Sequence, residues 1–343
     1  MVTLYGKEYA IDDLKQLTST MDQFAGVRFS EYTDGRSRGM RTAEVWTGSG
    51  FRFSVYLDRA MDIGPAEYQG KPLAWLHPGL GTPANFEPQG FGFLKTFGGG
   101  LVTLCGMTHF GRPEQEGIEV FGLHGRISHI AAENVHVIKE WAGDTYILSL
   151  VGEVRQATLF GENFLLRRTI STSLAAKSLV IEDCVRNEGY RAFSHMMLYH
   201  CNFGFPVVSP SSVLMIDDED VQPRAEIARS GLADYARFGE PVKGYKEQVF
   251  FHTPKVAADG FVTVRLYNRD LDFGIYVRYR AAELPAFTQW KNIGAGEYLC
   301  GLEPCTNHEN SRDNLREQGK LKMLEPGEEI HYRVEIGVME PAK

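Results

Sequence analysis

The sequence predicts an all-β protein, a large and mostly antiparallel β-sandwich. Three observations point there: period-two alternation of apolar and polar residues, turn chemistry between the alternating runs, and a near absence of helical periodicity. Alternation marks strands because successive side chains of a strand point to opposite faces of its sheet. It runs through residues 51–57, 135–141, 146–154, 165–173, 179–185, 261–267, 273–279 and 332–338. Between the runs stand Trp141-Ala142-Gly143-Asp144, Arg186-Asn187-Glu188-Gly189, Ala257-Ala258-Asp259-Gly260 and Leu324-Glu325-Pro326-Gly327. Their Gly, Asn, Asp and Pro residues supply turn geometries. Helical character is confined to residues 11–18 and to the short, polar 312–317. Many strands joined by short turns imply a sandwich, not βαβ units. No internal repeat, low-complexity tract or linker rich in Pro, Gly and Ser divides the chain. Residues 1–343 are therefore expected to form one domain, with a short N-terminal extension over about residues 1–20.

Composition narrows the function. A 43% hydrophobic and 12% aromatic content suits a packed globular protein. The net charge of −8, a pI near 5.7 and the lack of any Lys/Arg run longer than two argue against a nucleic-acid partner. There is no stretch of 18 apolar residues to span a membrane and no basic-then-apolar leader, so a cytoplasmic location is expected. The five cysteines (105, 184, 201, 300 and 305) are dispersed and lack zinc-ribbon spacing, which favours free thiols. Among the ten histidines there is no zinc-protease pair at helical spacing and no cupin-like His-x-His set. Neither a metal nor a cofactor is expected.

Residues 77–126 form a long irregular stretch with His77, Pro78, Pro83, Pro88, His109, Arg112 and His124. A stretch of this length inside a compact domain is either a binding loop or a set of misread elements. Its Gly98-Gly99-Gly100 is not followed by the Lys-Ser/Thr and helix of a phosphate loop, and close backbone crossing between sheets is the simpler reason for it.

Two distant segments carry the chemistry. In Leu198-Tyr199-His200-Cys201-Asn202-Phe203-Gly204-Phe205-Pro206 and in Gly301-Leu302-Glu303-Pro304-Cys305-Thr306, a proton-transfer residue lies on an extended run that Gly or Pro then breaks. A His and a Glu delivered this way can face each other across a cleft as general acid and general base. Tyr199-His200-x-Asn202-x-Gly204, the downstream Leu302-Glu303-Pro304 and the upstream Gly122-Leu123-His124-Gly125 together resemble the aldose 1-epimerase (galactose mutarotase-like) superfamily. Arg59-Ala60-Met61-Asp62-Ile63-Gly64, Phe97-Gly98-Gly99-Gly100-Leu101 and Glu247-Gln248-Val249-Phe250 are similar to a divergent bacterial branch that includes deoxyribose mutarotase-like proteins. The resemblance spans residues 20 to 338.

It implies a mutarotase-like supersandwich and a cofactor-independent isomerase that interconverts the α and β anomers of a free sugar. Glu303 would be the base and His200 the acid. That pairing of an ionised Glu with a protonated His predicts a bell-shaped pH profile whose acidic limb belongs to Glu303. The resemblance also implies sugar contacts from His124, from Glu247 in place of a relative's Asp, from His109 or Arg112, and from the motif residues Asn202 and Gln248. Arg59 either binds the sugar or pairs with Asp62, and Trp290 offers a stacking face or packs in the core. For a phosphorylated sugar, Arg59, Arg112 and Arg126 would have to converge. The expected partner is a hexose, pentose or deoxypentose, and the sequence leaves a homodimer open. A non-catalytic carbohydrate-binding protein and an epimerase acting at another carbon are the alternatives.

Overall fold

The alternating runs become strands of an eight-stranded antiparallel sheet. Its order is Glu133–Ala142, Thr145–Ala157, Asn163–Ser173, Ser178–Asn187, Glu329–Met339, Phe273–Arg280, Phe261–Asn268 and Ser212–Met215. The structure, a computed structural model, describes residues 1–81 and 87–339. Alternation is clean here because one face of this sheet is wet. Along Thr145–Ala157, Tyr146, Leu148, Leu150 and Val154 are buried between less buried neighbours.

A seven-stranded sheet packs over the dry face. Its order is Asp218–Pro223, Gln248–Pro254, Ala286–Gly294, Glu297–Cys305, Phe193–Phe203 and Lys322–Leu324, and Thr103–Met107 also pairs with Phe193–Phe203. One apolar cluster joins the two sheets: Leu148, Ile181, Val277 and Ile336 from the first share it with Met197, Cys201, Phe287 and Leu302 from the second. Tyr279 stacks on Phe287 across the gap at 5.9 Å. A five-stranded sheet of Gly26–Glu31, Arg41–Trp46, Phe51–Tyr56, Asp62–Tyr68 and Lys71–Pro72 adds Val45, Phe51, Val55 and Ile63 to the same core. All strand pairings between the named strands are antiparallel, as a sandwich built from hairpins requires.

The core also holds a charged pair. The Arg168 guanidinium meets the Asp183 carboxylate through two bonds, Nε to Oδ1 at 2.9 Å and Nη2 to Oδ2 at 2.6 Å, with both side chains fully buried. Burial works against the Arg168 charge, but the attraction of Asp183 and its hydrogen bonds outweigh this and raise the pKa. Tyr199 Oη donates to the same carboxylate at 2.6 Å, and Arg168 Nη1 donates to Ala60 O at 3.1 Å. Ala60 and Met61 adopt left-handed backbone conformations, with φ of 51° and 57°. The Arg59–Gly64 motif is therefore a folding device: Arg168 fixes its turn.

Two expected helices are present, Ile11–Gln16 and Arg312–Glu317, and a four-residue helix, Glu226–Arg229, joins them. Part of the irregular stretch was a misread element. Thr103–Met107 is a strand with every residue buried, so it offers no alternation to detect. Much of the rest wraps one face of the seven-stranded sheet; Pro83 lies outside the described residues. At Gly98-Gly99-Gly100 a Cβ on Gly99 would lie 2.3 Å from Trp75 O, in line with the close-crossing expectation.

Candidate active site

Phe193–Phe203 is buried on both faces. Met197, Tyr199, Cys201 and Phe203 enter the sandwich core, whereas Met196 and Leu198 join a second apolar cluster with Phe93, Phe97, Phe110 and Cys305. His200 shares the face of Met196 and Leu198. Glu297–Cys305 is split in the same way, with Cys300 and Leu302 in the core and Glu303 on the other face.

The register does the rest. Leu198 pairs with Cys305 and Cys201 with Leu302, which sets His200 directly opposite Glu303 on the neighbouring strand. His200 Nε2 lies 3.3 Å from Glu303 Oε1. The two groups are thus side by side on one sheet face, not opposed across a cleft as the sequence suggested. Neither is closed off by other bonds: Glu303 Oε1 and His200 Nδ1 are buried with no hydrogen-bond partner among the described residues.

They stand at the floor of a cavity of about 340 Å³, within the range of small-ligand sites. The irregular stretch builds much of its wall, through Phe91, Phe93, Leu94, Phe97, Arg112 and His124. Glu247, Val249, Thr288 and Trp290 complete the sheet side, and Arg224 and Glu309 the mouth. Trp290, Phe97 and His124 place their rings 5.3, 5.3 and 5.7 Å from the His200 ring.

These apolar walls set the ionisation. Burial pushes Glu303 up to about 8, with Arg224 pulling it down and Glu309 and Glu247 adding to the rise. Burial pushes His200 down to about 3; His124 adds to this, and the Asn202 side chain and the His200 carbonyl oppose it. The pair is therefore a carboxylic acid beside a neutral imidazole. This reverses the ionised Glu and protonated His expected from the sequence, because the sequence does not reveal how dry the floor is.

His124 reaches the cavity from a left-handed backbone conformation, φ 60°, held by His124 N donating to Gly111 O and His124 O accepting from Gly106 N, each at 3.0 Å. Its neighbour must be Gly125: a Cβ there would lie 2.4 Å from His109 O. Burial lowers the His124 pKa to about 3 as well. Glu247 Oε2 accepts from Trp290 Nε1 at 2.8 Å, so Trp290 serves the cavity both as an apolar wall and as a donor. Arg112 lines the mouth, with Nε 3.8 Å from Glu309 Oε1.

Four expected contact residues are not among the described residues lining the cavity. Arg59 is buried and donates through Nη1 to Gly81 O at 3.1 Å. His109 bonds the Arg112 carbonyl at 2.8 Å and packs on Phe121. Asn202 donates to Gly100 O and to His200 O, at 3.0 and 2.8 Å, bracing the crossing behind the histidine. Gln248 alternates away from Glu247 and reaches toward Ile227 O and Ser230. These motif residues build the frame, and they carry signatures as strong as those of the site itself. Arg126 is also elsewhere, bound to Glu87, Thr158 and Glu162, so no arginine cluster of the phosphate-binding kind forms from the three named.

Sequence reasoning missed Arg224, Glu309 and Thr288. Thr288 faces Glu303 in the register of the next strand. Arg224 directly follows a strand that ends at Pro223, and Glu309 stands four residues past Cys305; both belong to strand-end positions where sites gather, which is the only available signal.

Gly301 is a further requirement. A Cβ there would come within 2.6 Å of Glu303 Oε1 and 3.0 Å of Trp290 Cβ. Gly301→Ala is expected to displace the carboxylate and press on Trp290, lowering kcat by about tenfold or more, since sub-ångström placement governs proton transfer. It is also expected to lower stability by about 1–3 kcal/mol, the usual cost of overpacking. Parallel kinetic and thermal-melt assays check this.

Among the described residues, Cys184, Glu329 and His331 bring potential metal donors within 4.8 Å of one another. They lie outside the cavity, and Glu329 is paired with Arg186 at 3.5 Å.

Solved structures share the architecture. A Klebsiella pneumoniae protein described as a candidate aldose 1-epimerase superposes with a TM-score of 0.87 at 21% identity, over 93% of this chain and 86% of that one. A galactose mutarotase-like protein from Clostridium acetobutylicum aligns at 0.61 and 12% identity, over 93% of this chain and 100% of that one. Galactose 1-epimerase from Lactobacillus acidophilus aligns at 0.59 and 12%, with the same coverages. No curated protein matches the sequence. The fold is thus galactose mutarotase-like, and the match over residues 37–338 shows that the chain belongs to the family described as domain of unknown function DUF4432.

Proposed function

We propose that this protein is a cofactor-independent aldose 1-epimerase, a single mutarotase-like domain acting on a free sugar. The observation that carries the proposal is the His200–Glu303 pair, 3.3 Å apart on the floor of a cavity. Mutarotation removes the proton of the anomeric hydroxyl and delivers one to the ring oxygen. Both oxygens are bonded to the same carbon, so two adjacent groups on one face suit the reaction better than two facing groups. One partner accepts a proton as the other donates. The C–O bond breaks, the aldehyde end rotates, and closure runs the transfers backwards.

The pair needs to hold one proton, and each turnover visits both of its arrangements: Glu303 protonated with His200 neutral, and Glu303 ionised with His200 protonated. The low-polarity floor favours the first at rest. His124, Glu247 and Thr288 are suited to sugar hydroxyls, and Trp290 to an apolar ring face. The five unpaired thiols suit a reducing compartment and support a cytoplasmic location.

Freshly dissolved α-anomers of hexoses, pentoses and deoxypentoses, followed by polarimetry, test the proposal. An anomerisation rate no faster than the spontaneous one for every sugar would reject it. For an accepted sugar, kcat/KM is expected to hold across neutrality and to fall as pH rises through about 8, where Glu303 gives up the shared proton. The basic limb then belongs to Glu303 and the acidic limb, near 3, to His200. A rate profile from pH 5 to 10 checks the basic limb, and a limb between 5 and 7 would contradict the assignment. Glu247→Gln is expected to raise KM several-fold with little change in kcat, because it removes an acceptor for sugar hydroxyls and leaves the proton-transfer pair intact.

A further inference from the structure

At the cavity mouth one guanidinium serves two carboxylates. Arg224 Nη1 donates to Glu309 Oε2 at 2.7 Å, and Nη2 to Glu247 Oε1 at 3.4 Å. The Arg224 side chain is three-quarters buried, at 25% exposure, and its backbone amide donates to Val249 O at 2.9 Å, tying it to the strand that Glu247 leads into. The other oxygen of Glu247 accepts from Trp290, whose ring packs against His200. A continuous chain therefore runs Glu309, Arg224, Glu247, Trp290, His200 around the cavity. Glu309, Arg224 and Arg112 also line an adjoining groove, so this chain is the wall that ends the cavity.

The Glu247 arm is half exposed, and an ion pair there adds little to stability. Its effect lies in gathering acids that would otherwise repel. Glu303 is faced by His200 from the adjacent strand, by Arg224, Glu247 and Glu309 around the mouth, and by the buried thiols of Cys105, Cys201, Cys300 and Cys305. Arg224 is the cation of that set. Its planar fork holds two carboxylates at fixed separation, which a flexible ammonium cannot do as well.

We propose that Arg224 is the positioning residue of the site: it holds Glu247 and Glu309 as a preset pair of acceptors for two sugar hydroxyls, and it keeps the acids at the mouth from crowding the proton-transfer pair. The ligand's being a sugar rests on the proposed function. The electrostatic part does not. Without Arg224, Glu247 faces Glu303 with no cation between them and Glu309 is left with the exposed Arg112 guanidinium 3.8 Å away, so Glu303 holds its proton more tightly.

Arg224→Gln and Arg224→Lys test this with two readouts. The first is an NMR titration of ¹³C-labelled Glu carboxyls on the protein alone, with the Glu303 signal identified by its absence in Glu303→Gln. In Arg224→Gln the Glu303 midpoint is expected to rise by about one pH unit, the scale of a lost neighbouring cation, and in Arg224→Lys to stay near the wild-type value. The second is KM for an accepted sugar, expected to rise about tenfold or more in both variants, because Lys restores charge but not the fork. An unchanged midpoint in Arg224→Gln, or a wild-type KM in Arg224→Lys, overturns the inference. If Arg224→Gln does not fold, the KM of Arg224→Lys decides. If the wild-type protein accelerates no sugar, the proposed function fails, and the titration, which needs no sugar, still decides on Arg224.

Discussion

Glu303→Gln is expected to lower kcat on an accepted sugar by about 10²–10⁴, the contribution of one positioned proton-transfer group. Gln keeps the size and most of the polarity of the side chain, so the cavity and sugar binding should survive and KM should change little. His200→Asn is expected to behave alike. The double variant should be scarcely worse than either single one, because the two groups act as a unit and losing one strands the other. The same substitution has a second, independent signature. Glu303 binds its proton more tightly in the folded protein, about 8 against 4.5. Between those values the native state holds more protons than the unfolded one, so stability falls as pH rises, by up to about 1.4 kcal/mol per unit. Gln has no such slope. Chemical denaturation should therefore show Glu303→Gln gaining stability relative to the wild type from pH 5 to pH 8. Parallel curves would mean that the carboxyl is not held in a dry site.

Arg168→Met is expected to lower stability by about 3–5 kcal/mol, the largest effect on the fold of any change considered. The cause is what remains: among the described residues Asp183, fully buried, would keep only the Tyr199 hydroxyl. The carbonyls of Ala60 and Met61 would also lose their donor, in a turn that already adopts left-handed geometry. Replacing both charges, as in Arg168→Met with Asp183→Leu, should recover much of the loss, since a paired buried charge offsets little more than its own desolvation. Urea denaturation of the single and double variants measures both. A single variant within about 1 kcal/mol of wild type would mean that the pair is not the brace of this core.

Which parts of this were legible in the sequence follows from burial. Strands such as Thr145–Ala157 and Phe261–Asn268 have one wet face, and their alternation announces them to within a few residues. The strands that carry the site are dry on both faces. Phe193–Phe203 and Thr103–Met107 show no alternation, and the first was found only through its His-Cys-Asn motif and the second not at all. His200 and Glu303 were legible as a pair but their relation was not. Register between strands a hundred residues apart is a property of the whole sandwich, and it turned facing groups into neighbours. Ionisation was illegible for the same reason, because the rings that dry the floor come from Phe97, His124 and Trp290 on separate segments. Motif membership also blurred two roles. Arg59 and Asn202 look like site residues in the sequence, yet they brace the backbone around it. Arg224, which no motif marks, stands at the cavity.

The most direct test of the His200–Glu303 assignment is magnetisation-exchange NMR between the α and β anomeric protons of a sugar panel at equilibrium, with wild-type protein and Glu303→Gln in matched samples. Anomer exchange well above the spontaneous rate is expected for at least one free sugar with the wild type, and the acceleration is expected to drop by about 10²–10⁴ with Glu303→Gln. Wild-type exchange that persists undiminished in Glu303→Gln would contradict the assignment.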